Sequence, residues 1–204
     1  VAELDRWKII AEEALLNDPI YQALRPIVVG LIERLRESSS PEAFVMLHRA
    51  LLIEFAGRQD AASELLPLAR DKARERLRAL VERTPKPIDE IRETQELLER
   101  VEQQERVSRA GLHALRVVGD GVAWKALEYD RRAIGILGRG RRVGRLADGT
   151  GRDAEMLELG RLWTDEGVFA LHNDLTNCIR HGDLTVIRRD GGALQVTLAE
   201  VKAG

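Results

Sequence analysis

Gly182-Asp183-Leu184-Thr185-Val186-Ile187-Arg188-Arg189-Asp190-Gly191-Gly192-Ala193-Leu194-Gln195-Val196-Thr197-Leu198-Ala199-Glu200-Val201-Lys202 is the stretch that decides the fold class. Two runs of branched apolar residues flank Asp190-Gly191, a strong short-range hairpin signal. A two-residue turn at Asp190-Gly191 sets Arg189 opposite Gly192 and Asp183 opposite Leu198. Cross-strand partners point to the same side of a sheet, as do residues i and i+2 along a strand. Asp183, Glu200 and Lys202 therefore share one face, at the end away from the turn, with Leu194, Val196 and Leu198. That apolar face reads as core-facing. Two carboxylates and an ammonium at its edge are costly unless they pair or hold a metal. A three-residue turn would slip the register and take Asp183 off that face.

Upstream the pattern is helical. Trp7, Ile10, Ala14 and Leu15 recur at helical spacing, and a second run covers residues 19–37, with Pro26 predicting a kink or break. Ser40-Pro41-Glu42 is a helix start: a Ser cap, Pro at the first position and an acid in the first turn. Phe44, Leu47, Leu51 and Phe55 continue that helix, which is predicted to stop near Gly57. Asp60 opens another, and Thr84-Pro85-Lys86-Pro87 closes it. A long polar helix is predicted from Asp89 to Val118, with Leu97, Leu98, Val101 and Val107 as a narrow stripe. Such a helix suits the exposed side of a bundle, and it also suits a coiled-coil contact between copies of the chain. Gly119-Asp120-Gly121 reads as punctuation. Beyond it come a short helix at Trp124 to Glu128, a helical run from about Asp153 to Leu162, and strand-like segments at 168–171, 176–180 and the hairpin. Helices followed by antiparallel strands predict an α+β protein, with a helical domain over 1–118 and a small mixed domain over 119–204.

Composition bounds the function. The chain has 204 residues, 44% hydrophobic and 32% charged, with a formal net charge of −2. No global field attracts nucleic acid, so any such contact must come from a local patch. The single Cys178 excludes an internal disulfide and a zinc cluster, and suits a reducing cytoplasm. No apolar run is long enough to span a membrane. There is no Gly-x-Ser-x-Gly, no His-Glu-x-x-His and no nucleophile setting around Cys178.

An Asp followed by Glu-x-Lys on the next strand resembles the PD-(D/E)xK nuclease superfamily. Here the residues are Gly182-Asp183 and then Glu200-Val201-Lys202, with Gly in place of the usual Pro, and the resemblance covers about the last third of the chain. It implies a restriction-endonuclease-like core, metal-dependent hydrolysis of DNA phosphodiesters, and a role in restriction, phage defence or repair. Carried over, Asp183 and Glu200 hold Mg²⁺ (or Mn²⁺) and Lys202 is the catalytic lysine. The residue types suit that chemistry, since Mg²⁺ takes hard oxygen ligands and keeps waters, and an ammonium meets developing charge. Only five of the 32 basic residues are Lys, so a Lys at this position stands out in an Arg-using chain. A helix before the first core strand often carries a Glu in this superfamily; Glu155 and Glu158 are the candidates, and Glu158 is preferred. Folds of the superfamily continue with a helix and a strand where this sequence stops, so the native chain is expected to run past Gly204.

Residues 131–147 carry six arginines and no acid: Arg131, Arg132, Arg139, Arg141, Arg142 and Arg145. A glycine-rich loop of this kind can grip phosphates, with Arg139, Arg141 and Arg142 the candidates for nucleic-acid contact. His172, Asn173, Asp174, Asn177 and His181 lie between strand-like segments, and the two histidines read as structural or surface residues. Two other readings stay open: a non-catalytic protein that assembles through its helices, and a nuclease of the same fold directed at RNA.

Overall fold

The computed structural model describes residues 17–139, 146, 150–190 and 192–202. In chain order the elements are α1 (Pro19–Glu37), α2 (Pro41–Asp60), a π-helical turn (Ala61–Leu65), α3 (Leu66–Glu82), α4 (Ile88–Ala126), α5 (Arg131–Leu137), α6 (Thr150–Leu162), β1 (Val168–His172), a 3-10 turn (Asn173–Leu175), β2 (Leu184–Asp190) and β3 (Ala193–Ala199). The protein is α+β, with the helices first and then one antiparallel sheet in the order β1-β2-β3.

Helix starts follow the capping rules. The Asp18 carboxylate accepts the Ile20 N–H at 2.9 Å ahead of α1, and Ser40 Oγ accepts the Ala43 N–H at 3.3 Å at the head of α2. Asp130 caps α5 through the N–H groups of Arg132 and Ala133. Helix α1 runs on through Pro26 without ending there.

Two predicted breaks are absent. The helix begun at Pro41 does not stop near Gly57; it passes through the π turn and continues to Glu82. Asp60 has helical dihedrals and makes no side-chain cap, and one glycine inside a helix costs only about 1 kcal/mol. Gly119-Asp120-Gly121 likewise lies inside α4. These glycines serve close packing: a Cβ on Gly119 would stand 1.9 Å from the Leu175 carbonyl oxygen, and one on Gly121 would stand 2.6 Å from Leu35 Cδ2. Residues 176–180, predicted as strand-like, form a loop instead. The Asp120 carboxylate accepts from the N–H groups of Asn177 (2.6 Å) and Cys178 (2.8 Å) and from Asn177 Nδ2 (2.9 Å), so that backbone bonds to a side chain and not to a neighbouring strand.

Contacts divide the chain into two compact units, Val1–Ile27 with Gly57–His113, and Val28–Ala56 with Ala114–Gly204. The boundary predicted at 118/119 falls within α4. In the described part of the first unit, all helical, buried Leu24, Ala73, Leu80, Val101 and Val107 form the core. Its buried Glu105 is met by Arg70 Nη1 at 2.8 and 3.1 Å and by Arg109, one turn along.

The second unit holds the sheet. Helix α6 packs on β1 and β2, and β1 is buried throughout. Leu184, Thr185, Val186 and Ile187 bury both faces of the central strand β2. Strand β3 is different. Leu194 is half-buried, while Val196 and Leu198 are 36% and 42% exposed, so the predicted core face of this strand is largely uncovered. The register is also displaced. Asp190 is itself paired, with Ala193, rather than standing in the turn, and the ladder closes with Leu184 opposite Ala199. The shift from the predicted pairing is even, so every side chain keeps its face.

Gly119 gives a direct test of the packing. Gly119→Ala should lower stability by about 1–3 kcal/mol, because its Cβ meets a backbone oxygen that cannot rotate away. Gly30→Ala, in α1 with open space at its Cβ, should instead gain about 0.5–1 kcal/mol. Urea unfolding of both variants reads the difference.

Candidate functional site

The end of β1 and the start of β2 gather the polar side chains of the second unit. Buried backbone groups need partners, and at the end of β1 one comes from α2. His48 Nε2 accepts the His172 N–H at 3.0 Å. The His48 ring packs edge-on against Trp163 and Phe169, with centroids at 5.7 and 5.9 Å. Burial, with a smaller contribution from His172, pushes His48 down to about 3. It is therefore neutral, with its proton on Nδ1, because Nε2 accepts.

His172 links the strand to α6. Its Nε2 lies 3.0 Å from Glu155 Oε2, and both side chains are buried. The Nδ1 atoms of His48 and His172 have no hydrogen-bond partner among the described residues. Next along the chain, burial raises the Asp174 carboxyl above the usual carboxylate range. Glu155 and Asp183 add to that rise, while His172 and Arg116 oppose it. Arg116 Nε donates to the Asp174 carbonyl at 3.1 Å, and its guanidinium lies over Phe55. Glu155 and Asp183 thus each lie close enough to act on the Asp174 carboxyl.

Asp183 is half-buried and held from both sides. Its N–H donates to the Ala199 carbonyl at 3.0 Å, and its carbonyl accepts the Asn173 N–H at 2.9 Å. Its Oδ2 accepts the Val201 N–H at 2.7 Å. The ladder closes before Asp183, which is bonded to Ala199 and Val201 rather than set opposite the predicted Leu198. The Asp and the Glu-x-Lys segment are therefore brought to one end of the sheet, joined by the Asp183–Val201 bond. Glu200 and Lys202 are exposed.

The preferred helix acid lies elsewhere on α6. Glu158 makes a two-point pair with Arg161, at 2.6 and 2.9 Å, and that hydrogen bonding holds its carboxyl below the usual range. The carboxylate that α6 turns toward β1 is Glu155. Its signal was in the sequence, since Glu155, Leu159 and Leu162 fall on one helical stripe and all three are buried. Arg139 is exposed just past α5, while Arg141 and Arg142 lie outside the described residues. Burial, reinforced by Asp120, pushes the Cys178 thiol up to about 12, which leaves it unreactive as a thiolate. Among the described residues no group of three or more His, Cys, Asp or Glu is placed to hold a metal ion. No helix among them is long and apolar enough to cross a membrane.

His48 makes stability pH-dependent with a definite sign. Unfolded, its imidazole takes up a proton near the ordinary 6.5, whereas folded it resists protonation down to about 3. Its contribution is fully present above 6.5 and is lost as pH falls from there toward 3. His48→Gln keeps an acceptor for the His172 N–H and removes the titration. Urea melts across this range should show the acid-side slope reduced by up to about one proton; an unchanged slope would show that His48 is not the group resisting protonation.

No family model matches the chain, and neither do any curated protein or solved structure.

Proposed function

We propose that this chain is a metal-dependent nuclease that hydrolyses DNA phosphodiester bonds. The observation that carries the reading is the meeting of Asp183 with the Glu200-Val201-Lys202 segment at one end of the sheet, through the 2.7 Å bond from Val201 N–H to Asp183 Oδ2. The resemblance to the PD-(D/E)xK superfamily asks for that neighbourhood. Further support is the buried Glu155, supplied by the helix before the first strand.

The donor set suits Mg²⁺ or Mn²⁺. Such ions are commonly bound through one or two carboxylates, with waters and substrate phosphate completing the shell. Asp183 commits Oδ2 to Val201, while among the described residues nothing donates to its Oδ1. Glu200 is exposed. Asp183 and Glu200 would hold the ion. When bound, the ion would acidify a water and neutralise charge on the phosphodiester. Lys202 carries an exposed ammonium on the same segment, suited to orienting the attacking water or meeting charge in the transition state. Arg139, with Arg141 and Arg142, would grip the phosphate backbone through guanidinium forks. Restriction, phage defence and repair are the processes in which such an activity fits.

A non-catalytic assembly role is the rival reading, and one observation favours it: Val196 and Leu198 leave an apolar stripe exposed on β3. Metal dependence separates the two. Asp183→Asn retains an oxygen to accept the Val201 N–H, so it should fold normally. It should lose metal-dependent cleavage by about two orders of magnitude or more, the scale of a lost transition-state contact. Cleavage of matched DNA and RNA substrates with Mg²⁺ or Mn²⁺ supplies the measurement, and wild-type turnover in Asp183→Asn would refute the assignment.

Lys202 tests the reading independently. Lys202→Met keeps most of the apolar stem and removes the charge. Folding and DNA binding should change little, while single-turnover cleavage should fall by roughly a hundredfold or more. Lys202→Arg should rescue poorly, because the guanidinium is broader and does not give up its proton. If Lys202→Met cuts at the wild-type rate, the assembly role becomes the better reading.

A further inference from the structure

Asn173 is buried, at 2% exposure, and every polar atom of its side chain is used. Nδ2 donates to the His181 carbonyl at 2.7 Å and to the Gly182 carbonyl at 3.2 Å. Oδ1 accepts from Thr185 Oγ1 at 2.6 Å, inside a fully buried position on β2. The Asn173 backbone N–H donates to the Asp183 carbonyl at 2.9 Å. One residue thus bonds to positions 181, 182, 183 and 185, on both sides of Asp183. Gly182 has φ +66°, the left-handed region that favours glycine, and there two successive carbonyls meet one amide. Thr185 sets the orientation of the amide, because its hydroxyl donates to Oδ1 and leaves Nδ2 for the carbonyls. The 3-10 turn keeps the main chain of Asn173 in place, its carbonyl accepting from the N–H and Oγ1 of Thr176 at 3.0 and 2.9 Å.

We infer that Asn173 is a positioning residue: it clamps the 181–185 backbone so that the Asp183 carboxylate is held against Val201 with one oxygen left for a ligand. In its metal-binding consequence the inference rests on the proposed Mg²⁺ site; its geometric content does not. A carboxylate that holds a metal needs its orientation fixed by surrounding hydrogen bonds, and loss of such partners typically costs about 10–100-fold in metal affinity.

The test uses Asn173→Asp, Thr185→Val and Asp183→Asn in the full chain. Asn173→Asp keeps the size and the acceptor but loses both donors; Thr185→Val is the milder change and leaves Asn173 present but unoriented. Amide exchange at Val201 reports the Asp183 carboxylate directly, and calorimetric titration with Mn²⁺ reports its ligand capacity. The expected result is Val201 exchange at least about tenfold faster in both variants, with the β2–β3 ladder amides still protected. Mn²⁺ affinity should fall by about 10–100-fold, with no further loss when either change is added to Asp183→Asn. Wild-type Val201 exchange in the folded variants would overturn the positioning role, as would losses of Mn²⁺ affinity that add to that of Asp183→Asn. Fast Val201 exchange alongside Mn²⁺ binding that ignores Asp183→Asn would uphold the positioning role and overturn the metal site instead.

Discussion

The second unit is organised by one constraint: the sheet's first strand ends while still inside the core, and each polar group of the turn that follows has to find a partner there. A buried unpaired backbone group costs about 1–3 kcal/mol, so several such groups at one turn would consume much of a domain's stability. The partners come from far along the chain. His48 on α2 takes the His172 N–H, Asp120 on α4 takes the amides of Asn177 and Cys178, and Asn173 takes the carbonyls before Asp183. Helix α4 passes so close to this turn, at Gly119 against Leu175, that only a hydrogen fits in place of a side chain. The position of Asp183 therefore follows from how the turn was satisfied, and the chemistry proposed for it depends on that packing.

Much of the fold was legible because it is local. The cap at Ser40, the Pro-rich stop after Glu82 and the β2–β3 hairpin are short-range signals, and each is present. The misread places were glycines and acids whose reasons lie at a distance. Gly119-Asp120-Gly121 has the composition of a turn; that Asp120 would instead cap a loop almost sixty residues later is invisible in its own neighbourhood. The hairpin turn was misplaced because Asp190-Gly191 and Gly191-Gly192 both suit a tight turn, and the face pattern cannot distinguish them. An even displacement leaves the alternation intact. That is why the predicted alternation of faces along β2 and β3 survives although the predicted pairing does not.

At the candidate site the residue types were readable and the supporting shell was not. Asp183, Glu200 and Lys202 announce themselves by spacing. His48, His172, Asn173 and Asp174 do not, because nothing in the order of the chain says that a helix near residue 48 will reach the strand at 172. Glu155 sits between these cases: helical periodicity puts it on the buried stripe of Leu159 and Leu162, although Glu158 was the candidate preferred from the sequence. The glycine before the aspartate also has a physical account. At φ +66° the position is closed to proline, whose ring fixes φ near −65°. Glycine at this position is thus the backbone solution that lets Asn173 reach two carbonyls at once.

The last strand has a consequence for the protein in solution. Ala193-Leu194-Gln195-Val196-Thr197-Leu198-Ala199 stands at the end of the sheet order with its apolar side chains partly bare. It contains no charge and no proline, the two commonest guards of a sheet edge. Among the described residues no strand covers its outer hydrogen-bonding groups. A short, uncharged stretch of high β propensity is a ready template for strand addition from another molecule. Concentrated preparations are thus exposed to edge-to-edge self-association, and a lysine at the outward Gln195 would supply the missing guard without touching the hairpin's turn or the Asp183 end.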